Sequence, residues 1–336
     1  MPYLAGKRIL FLSPSFFHYP DEIVKTLEEK GASVISFDER PSNDFITKVA
    51  LRLGMRFLLQ RNIKLYYQNI LSGIADKKID FIFLIVPESI PVSFINELRN
   101  RNTNLKVYLY MWDSFRNKSY AKKIHDLSDR TFSFDPKDFS EDVKLEFLPL
   151  FYTNEYSFSR KEKYDYDVTF IGTLHSDRYI LTKSVEQQLA SNGLKVFTFF
   201  YSPSRFLFLL QKILNKNFRS IKFCDVSFKS LSRFDVVSKI TRSRAVLDVQ
   251  HPGQTGLTMR TIEVLGAGRK LITTNENIKS YKFFSDNNIL VIERNNPIVN
   301  LEFLHKDCDE SVLEEVAGYS LSNWIDTIFN EVQKNK

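Results

Sequence analysis

Between residues 251 and 275 the chain reads HPGQTGLTMRTIEVLGAGRKLITTN, a run rich in residue types that can hold a phosphate. Pro252, Gly253, Gln254, Thr255 and Gly256 make a flexible turn. Residues 257–265 have the spacing of a helix, and Gly266-Ala267-Gly268 ends it. A helix start gathers backbone N–H groups without partners and the positive end of the helix dipole, so it favours an anion. Thr255 and Gly256 let the backbone come close, Thr258 adds a hydroxyl, and Arg260 adds a forked cation. Glu263 lies three residues after Arg260 and projects from the neighbouring turn of the same face. A carboxylate there can accept bonds from two ribose hydroxyls. Diphosphate at the helix start with ribose one turn deeper is the layout a nucleotide-sugar needs. The plain alternative is a packing helix on which Arg260 and Glu263 form a surface pair. His251, beside the turn, either contacts phosphate or caps the strand end.

The elements that must position these groups are short. Apolar strands at residues 245–249 and 270–274 flank the helix, giving one strand–helix–strand unit of a parallel α/β sheet. The N-terminal part repeats the pattern with strands at 7–12, 33–37, 80–86 and 106–111 and a helix at 21–30. Ligands of open α/β sheets gather outside the carboxyl ends of strands. His18, Glu88 and Asp113 all fall just past such ends and are the candidates for moving a proton. Asp113 can instead be a turn or cap residue, and His18 a surface-loop histidine. The first strand is followed by Ser13-Pro14-Ser15-Phe16-Phe17 with no G-x-G, which argues against NAD or FAD there.

At this point the residues resemble a family. The run from Gly256 to Gly268 resembles the donor-binding segment of GT-B glycosyltransferases, more narrowly the bacterial enzymes of the CgeB type and of lipopolysaccharide or capsule biosynthesis. The stretch FIGTLHSDRY, residues 170–179, is similar to the first strand and turn of their donor domain. The resemblance implies an α/β fold of two Rossmann-like doubly wound domains facing across a cleft. Residues 1–152 would form the acceptor-side domain, 153–167 a linker, 168–320 the donor domain, and 321–336 a last helix crossing back to the first domain. It implies that Glu263 binds ribose and that the helix start at Gly256 holds diphosphate. Gly172 and Thr173 would let the backbone approach the diphosphate, and Arg178 would pair with a phosphate oxygen, unless this is an ordinary turn with a surface arginine.

The implied activity moves a sugar from a nucleotide-diphospho-sugar to a glycan or lipid-linked acceptor in bacterial surface polysaccharide biosynthesis. Asp113 is the first candidate for the base, then His18 and Glu88. No cofactor and no metal are expected, because no D-x-D pair is set after a strand in the manner of metal-dependent sugar transferases; Asp165 and Asp167 have that spacing but lie among linker tyrosines. Alternatives are a nucleotide-sugar-binding protein without chemistry, and an epimerase or polyol-phosphate transferase on the same scaffold.

The totals fit this reading. The 336 residues suffice for two domains, and a net charge of +7 suits acidic partners. Two distant cysteines, Cys224 and Cys308, point to a reducing compartment. No signal segment or bilayer-length apolar run is apparent, so a cytoplasmic location is expected. Nucleic acid is not an expected partner. Disorder is expected only over residues 333–336. Two basic stretches bear on peripheral contact with the inner membrane. Residues 43–74 read as a helical region broken near Asn62, carrying Lys48, Arg52, Arg56, Arg61 and Lys64; the preferred reading is a solvated basic face over a buried apolar one. Residues 204–223 combine Phe206 to Leu210 with Arg205, Lys212, Lys216, Arg219 and Lys222, suiting either a membrane interface or a helix buried between domains.

Overall fold

Strands of two to eight residues, most of them followed by a helix, build two separate parallel sheets. The computed structural model describes residues 3–157 and 163–331. The chain divides into one unit of Met1–Pro149 with Leu321–Lys336 and a second of Leu150–Ser320.

The first unit contains β1 (Arg8–Ser13), α1 (Tyr19–Glu29), β2 (Ser33–Asp38), α2 (Phe45–Arg52), α3 (Gln60–Gly73), β3 (Phe81–Ile85), α4 (Val92–Arg101), β4 (Lys106–Met111), α5 (Ala121–His125), β5 (Arg130–Ser133), α6 (Pro136–Glu141) and β6 (Leu145–Phe147). The strand order is β2-β1-β3-β4-β5-β6, and every pairing is parallel. β1, β3 and β4 are buried over nearly their whole length because helices cover both faces of such a sheet. The order reverses between β1 and β3, which makes their carboxyl ends the switch point of this sheet.

The basic region of this unit differs from the expectation in two ways. It breaks at Gly54, whose φ is +72°, and not near Asn62, which lies inside α3. Its apolar residues also do not all face inward. Thr47, Ala50 and Leu51 form the buried side of α2, while Phe45, Ile46 and Leu53 are 63–75% exposed.

The second unit contains β7 (Tyr166–Thr173), α7 (Arg178–Ser191), β8 (Val196–Tyr201), α8 (Arg205–Leu214), β9 (Val226–Ser227), α9 (Arg233–Thr241), β10 (Ser243–Asp248), α10 (Met259–Gly266), β11 (Lys270–Thr273), β12 (Ile289–Val291), α11 (Leu301–His305) and α12 (Ser311–Ala317). Its sheet is parallel with the order β12-β11-β10-β7-β8-β9. Read from the other edge this is the 3-2-1-4-5-6 order of a doubly wound dinucleotide fold, with its switch point between β7 and β10. The core lies around Phe170, Val185, Phe200, Leu247 and Ile272.

Several boundaries move. The strand expected from Val168 starts at Tyr166. Residues 154–156, read as linker, form a short turn of the second unit with Tyr156 buried. The helical turn expected at 281–284 lies instead at Glu276–Ser280. Residues 333–336 fall outside the described residues. α8 exposes Phe206, Leu209, Leu210, Ile213 and Leu214 in one i, i+3, i+4, i+7, i+8 stripe while Phe208 is buried. α13 (Leu321–Ile328) belongs to the first unit. Its Trp324 packs edge-on against Tyr110 at 4.6 Å, and Phe329 meets Phe81, Phe83 and Tyr108. Among the described residues no helix is long and apolar enough to cross a membrane.

Candidate functional site

The switch point of the second sheet collects the polar residues of four strand ends. After β7 come His175, Asp177 and Arg178; after β10, Gln250 and the turn to α10; after β11, Thr274 and Asn275; after β12, Arg294. Arg294 was not among the residues expected from sequence. Its guanidinium forks onto Asp177 at 2.7 and 3.0 Å and donates to the Gln250 carbonyl at 2.7 Å and to Thr274 Oγ1 at 3.3 Å. From the end of β12 it ties in the other three strand ends.

α10 starts two residues later than its periodicity predicts. Thr258 is the N-cap, in extended conformation, and its hydroxyl accepts from Thr261 N at 3.1 Å. The same hydroxyl donates to Asp248, which also receives Thr261 Oγ1 at 2.6 Å. Thr258 therefore holds the helix onto β10, and its hydroxyl is not spare for a phosphate. The turn before it is pinned through its carbonyls. Asn275 Nδ2 donates to Thr255 O at 3.2 Å and Gly256 O at 3.3 Å, and Gln254 Nε2 donates to Gly256 O at 2.9 Å.

Arg260 and Glu263 do pair, with Nη1 to Oε2 at 2.8 Å, but not at the surface. The Glu263 side chain is 2% exposed and Arg260 23%. Tyr156, buried beside them, has its phenol pushed up by burial and then by Glu263, with Arg260 acting in the opposite sense. As it stands, the carboxylate expected to face a ribose is covered by its own arginine.

Arg178 and Gly172 also differ from the expectation. Arg178 Nε donates to Val249 O at 2.9 Å and Nη1 to Thr173 O at 2.9 Å, so the guanidinium bridges the ends of β10 and β7. Burial pushes its pKa down to about 10; Asp248 opposes this and Arg294 and Arg260 add to it. A Cβ on Gly172 would sit 2.8 Å from the Phe170 ring and 3.0 Å from Arg178 Nη1. A side chain at this position would crowd both the Phe170 ring and the Arg178 guanidinium. His175 is pushed down to about 3, by burial first and then by Arg178, His251 and Arg294, so it is neutral. Its ring lies 5.5 Å from that of His251. His251 and Thr173 are exposed, and His251 Nδ1 accepts from Gly253 N at 3.2 Å. The result is a rim of His175, His251, the start of α10 and three guanidiniums over a buried layer of Asp248 and Glu263.

In the first unit the three base candidates have different surroundings. Glu88 is 8% exposed and clamped between Arg40 and Lys118. Burial works against its ionisation, yet Lys118 and Arg40 hold its carboxyl below the ordinary value. A carboxylate so held is a poor proton acceptor, and Glu88 is withdrawn as a base. Asp113 Oδ1 accepts from Ser114 N and Asn117 Nδ2, both at 2.9 Å, as a turn residue does. His18 is half-buried and lies at the N-cap of α1, its ring 4.5 Å from Tyr19. Sequence reasoning missed Glu39, a fully buried carboxyl whose Oε1 accepts the N–H groups of Glu88, Ser89 and Ile90. Burial pushes it up to about 7. Among the described residues no three of His, Cys, Asp or Glu come together as a metal ion would need.

No family profile matches the sequence, and no curated protein matches it significantly. Solved structures do. The apo form of OtsA is similar at a TM-score of 0.60 with 9% identity, covering 98% of this chain and 99% of that one. A trehalose-6-phosphate synthase, studied for glycosyl transfer with retention, gives 0.57 with 11% identity over 98% and 99%. HepE of Anabaena, in complex with UDP and glucose, gives 0.56 with 10% identity over 98% and 99%. The chain has the α/β fold of these GT-B glycosyltransferases.

Proposed function

We propose that the chain is a glycosyltransferase that moves a sugar from a nucleotide-diphospho-sugar to a glycan or lipid-linked acceptor in bacterial surface polysaccharide biosynthesis, in the manner of the CgeB-like enzymes. The observation that carries this is the convergence of Arg260, Arg294 and the capped start of α10 on the switch point of the second sheet. Doubly wound sheets bind nucleotides at such points. The fold likeness supports the same reading, and HepE in complex with UDP-glucose makes UDP the first nucleotide to test.

In this reading the donor displaces the Arg260–Glu263 pair. Arg260 turns to the diphosphate and so exchanges one anion for another, while Glu263 exchanges its arginine for hydrogen bonds donated by the neutral ribose hydroxyls. Thr255, Gly256 and His251 border the diphosphate, and Arg178 and Gly172 act beneath it by fixing the two strand ends. The bond from the sugar carbon to the diphosphate breaks as the acceptor oxygen bonds to that carbon. Charge on the departing diphosphate is met by the guanidiniums and the N–H groups of α10, with no metal ion needed. The acceptor hydroxyl gives its proton to a base of the first unit, Asp113 or His18. The work takes place in the cytoplasm at the membrane face, and the apolar stripe of α8 with Arg205, Lys216, Arg219 and Lys222 exposed nearby supports a peripheral contact.

Calorimetry of the full chain with UDP, GDP, dTDP and CMP tests the donor site. One nucleotide should bind, and Glu263→Ala should weaken it by roughly 1–3 kcal/mol, the cost of losing buried bonds to charge. Binding of none, or equal binding by Glu263→Ala and Arg260→Ala, contradicts the assignment. A second reading, a nucleotide-sugar-binding protein without chemistry, is favoured by the clamped state of Glu88 and the turn role of Asp113. Transfer of radiolabelled sugar separates the two.

A further inference from the structure

A groove of about 1110 Å³ runs between α3 and α4 of the first unit. Its walls carry Arg56, Lys64, Arg101 and Lys123 against one carboxylate, Glu97, which Arg101 already holds at 3.0 Å. Arg56 is half-buried. It donates to the Ser89 carbonyl and lies 3.6 Å over the Tyr120 ring, and no carboxylate pairs with it among the described residues. Burial pulls its pKa down, with only Glu39 and Tyr67 acting at a distance to raise it. A desolvated guanidinium without a counter-charge is an anion-binding group.

The groove has an apolar shoulder. Phe57 lies on its lip at 70% exposure, followed by Leu58 at 63%, and Leu53, Ile46 and Phe45 continue the ridge at 66, 75 and 63%. Residues 45–75 contain Lys48, Arg52, Arg56, Arg61 and Lys64 and no aspartate or glutamate. Monomeric proteins rarely leave such a patch uncovered. A soluble anion has no use for the ridge. A second copy would bring two cationic faces together. An anionic bilayer matches both parts.

We propose that this ridge and groove seat the first unit on an anionic membrane, with Phe57 and Leu58 entering the acyl boundary and the groove taking the phosphate of one lipid. The proposal does not depend on sugar transfer, and it concerns a surface other than α8. The ridge residues are exposed, so their substitution leaves the core intact.

The test is co-sedimentation of the full chain with phosphatidylcholine vesicles, with and without about one third phosphatidylglycerol, alongside inorganic phosphate as a soluble probe. The wild type should bind the anionic vesicles only. Phe57→Ser with Leu58→Ser, and separately Lys64→Glu with Lys123→Glu, should each lower partition by roughly tenfold or more. Tryptophan fluorescence, which reports the first unit, confirms that each variant is folded. Absence of vesicle binding, equal binding to neutral vesicles, or binding unchanged in both variants overturns the proposal. So does a ridge-dependent dimer, or saturable inorganic phosphate, in place of vesicle binding.

Discussion

At the scale of single residues, the two most informative side chains are ones that sequence gave no reason to notice. Arg294 follows a three-residue strand and belongs to no periodic pattern; only the arrival of three other strand ends around it gives it partners. Glu39, in the run Asp38-Glu39-Arg40-Pro41, reads as a surface turn, yet it is fully buried and its Oε2 has no hydrogen-bond partner among the described residues. An acid whose pKa is raised in the folded state stabilises the fold at pH values below its unfolded value, near 4.5, and loses that contribution as pH rises through about 7. Wild type should thus lose about 3 kcal/mol of first-unit stability across that window relative to Glu39→Gln. Both tryptophans, Trp112 and Trp324, lie in the first unit, so urea melts followed by fluorescence at several pH values read it directly. Parallel pH profiles for the two proteins would refute the account. Arg260 and Glu263, by contrast, were legible as a pair from their spacing, but spacing is silent on depth, and the carboxylate of the pair is buried.

At the scale of elements, strands and helices were legible because their apolar runs are long relative to the turns between them. Where boundaries moved, a cap or a glycine decided. α10 begins after Thr258 because that hydroxyl serves Thr261 and Asp248 together. Thr258→Ala should cost about 1–2 kcal/mol of local stability and Thr258→Ser much less. Amide hydrogen exchange over residues 259–266 measures it, and equal protection in all three proteins counts against the capping role. The direction an apolar stripe faces was not legible. The stripe on α8 is periodic, but periodicity cannot say whether anything covers it, and here the buried contact is made by Phe208 alone among the helix residues.

At the scale of the whole molecule, the second unit is an insertion. Tyr152 N bonds to Tyr319 O at 3.0 Å and Tyr152 pairs in parallel with Ser320, so its two ends are side by side. Gly266 lets the Tyr152 ring pack there, since a Cβ would come within 2.6 Å of it. The first unit is instead split in sequence and completed by α13. Beyond Trp324 and Phe329, Lys30 holds Asp326 at 2.6 Å and Arg130 donates to Ile328 O at 2.6 Å. A chain ending at Ser320 should lose the cooperative melt seen by Trp112 while a protease-resistant core of residues 150–320 remains. A first unit that still melts cooperatively without α13 would show the helix to be dispensable. The closing helix also sets a timetable during synthesis. At roughly 5–20 residues per second, the ribosome reaches α13 on the order of 10–40 s after it has finished β6. The inserted unit can close in that interval, while the older half of the polypeptide waits with the patch beneath α13 bare. That nascent surface, lined by Phe81, Phe83 and Tyr108, is where a chaperone has its longest opportunity to bind.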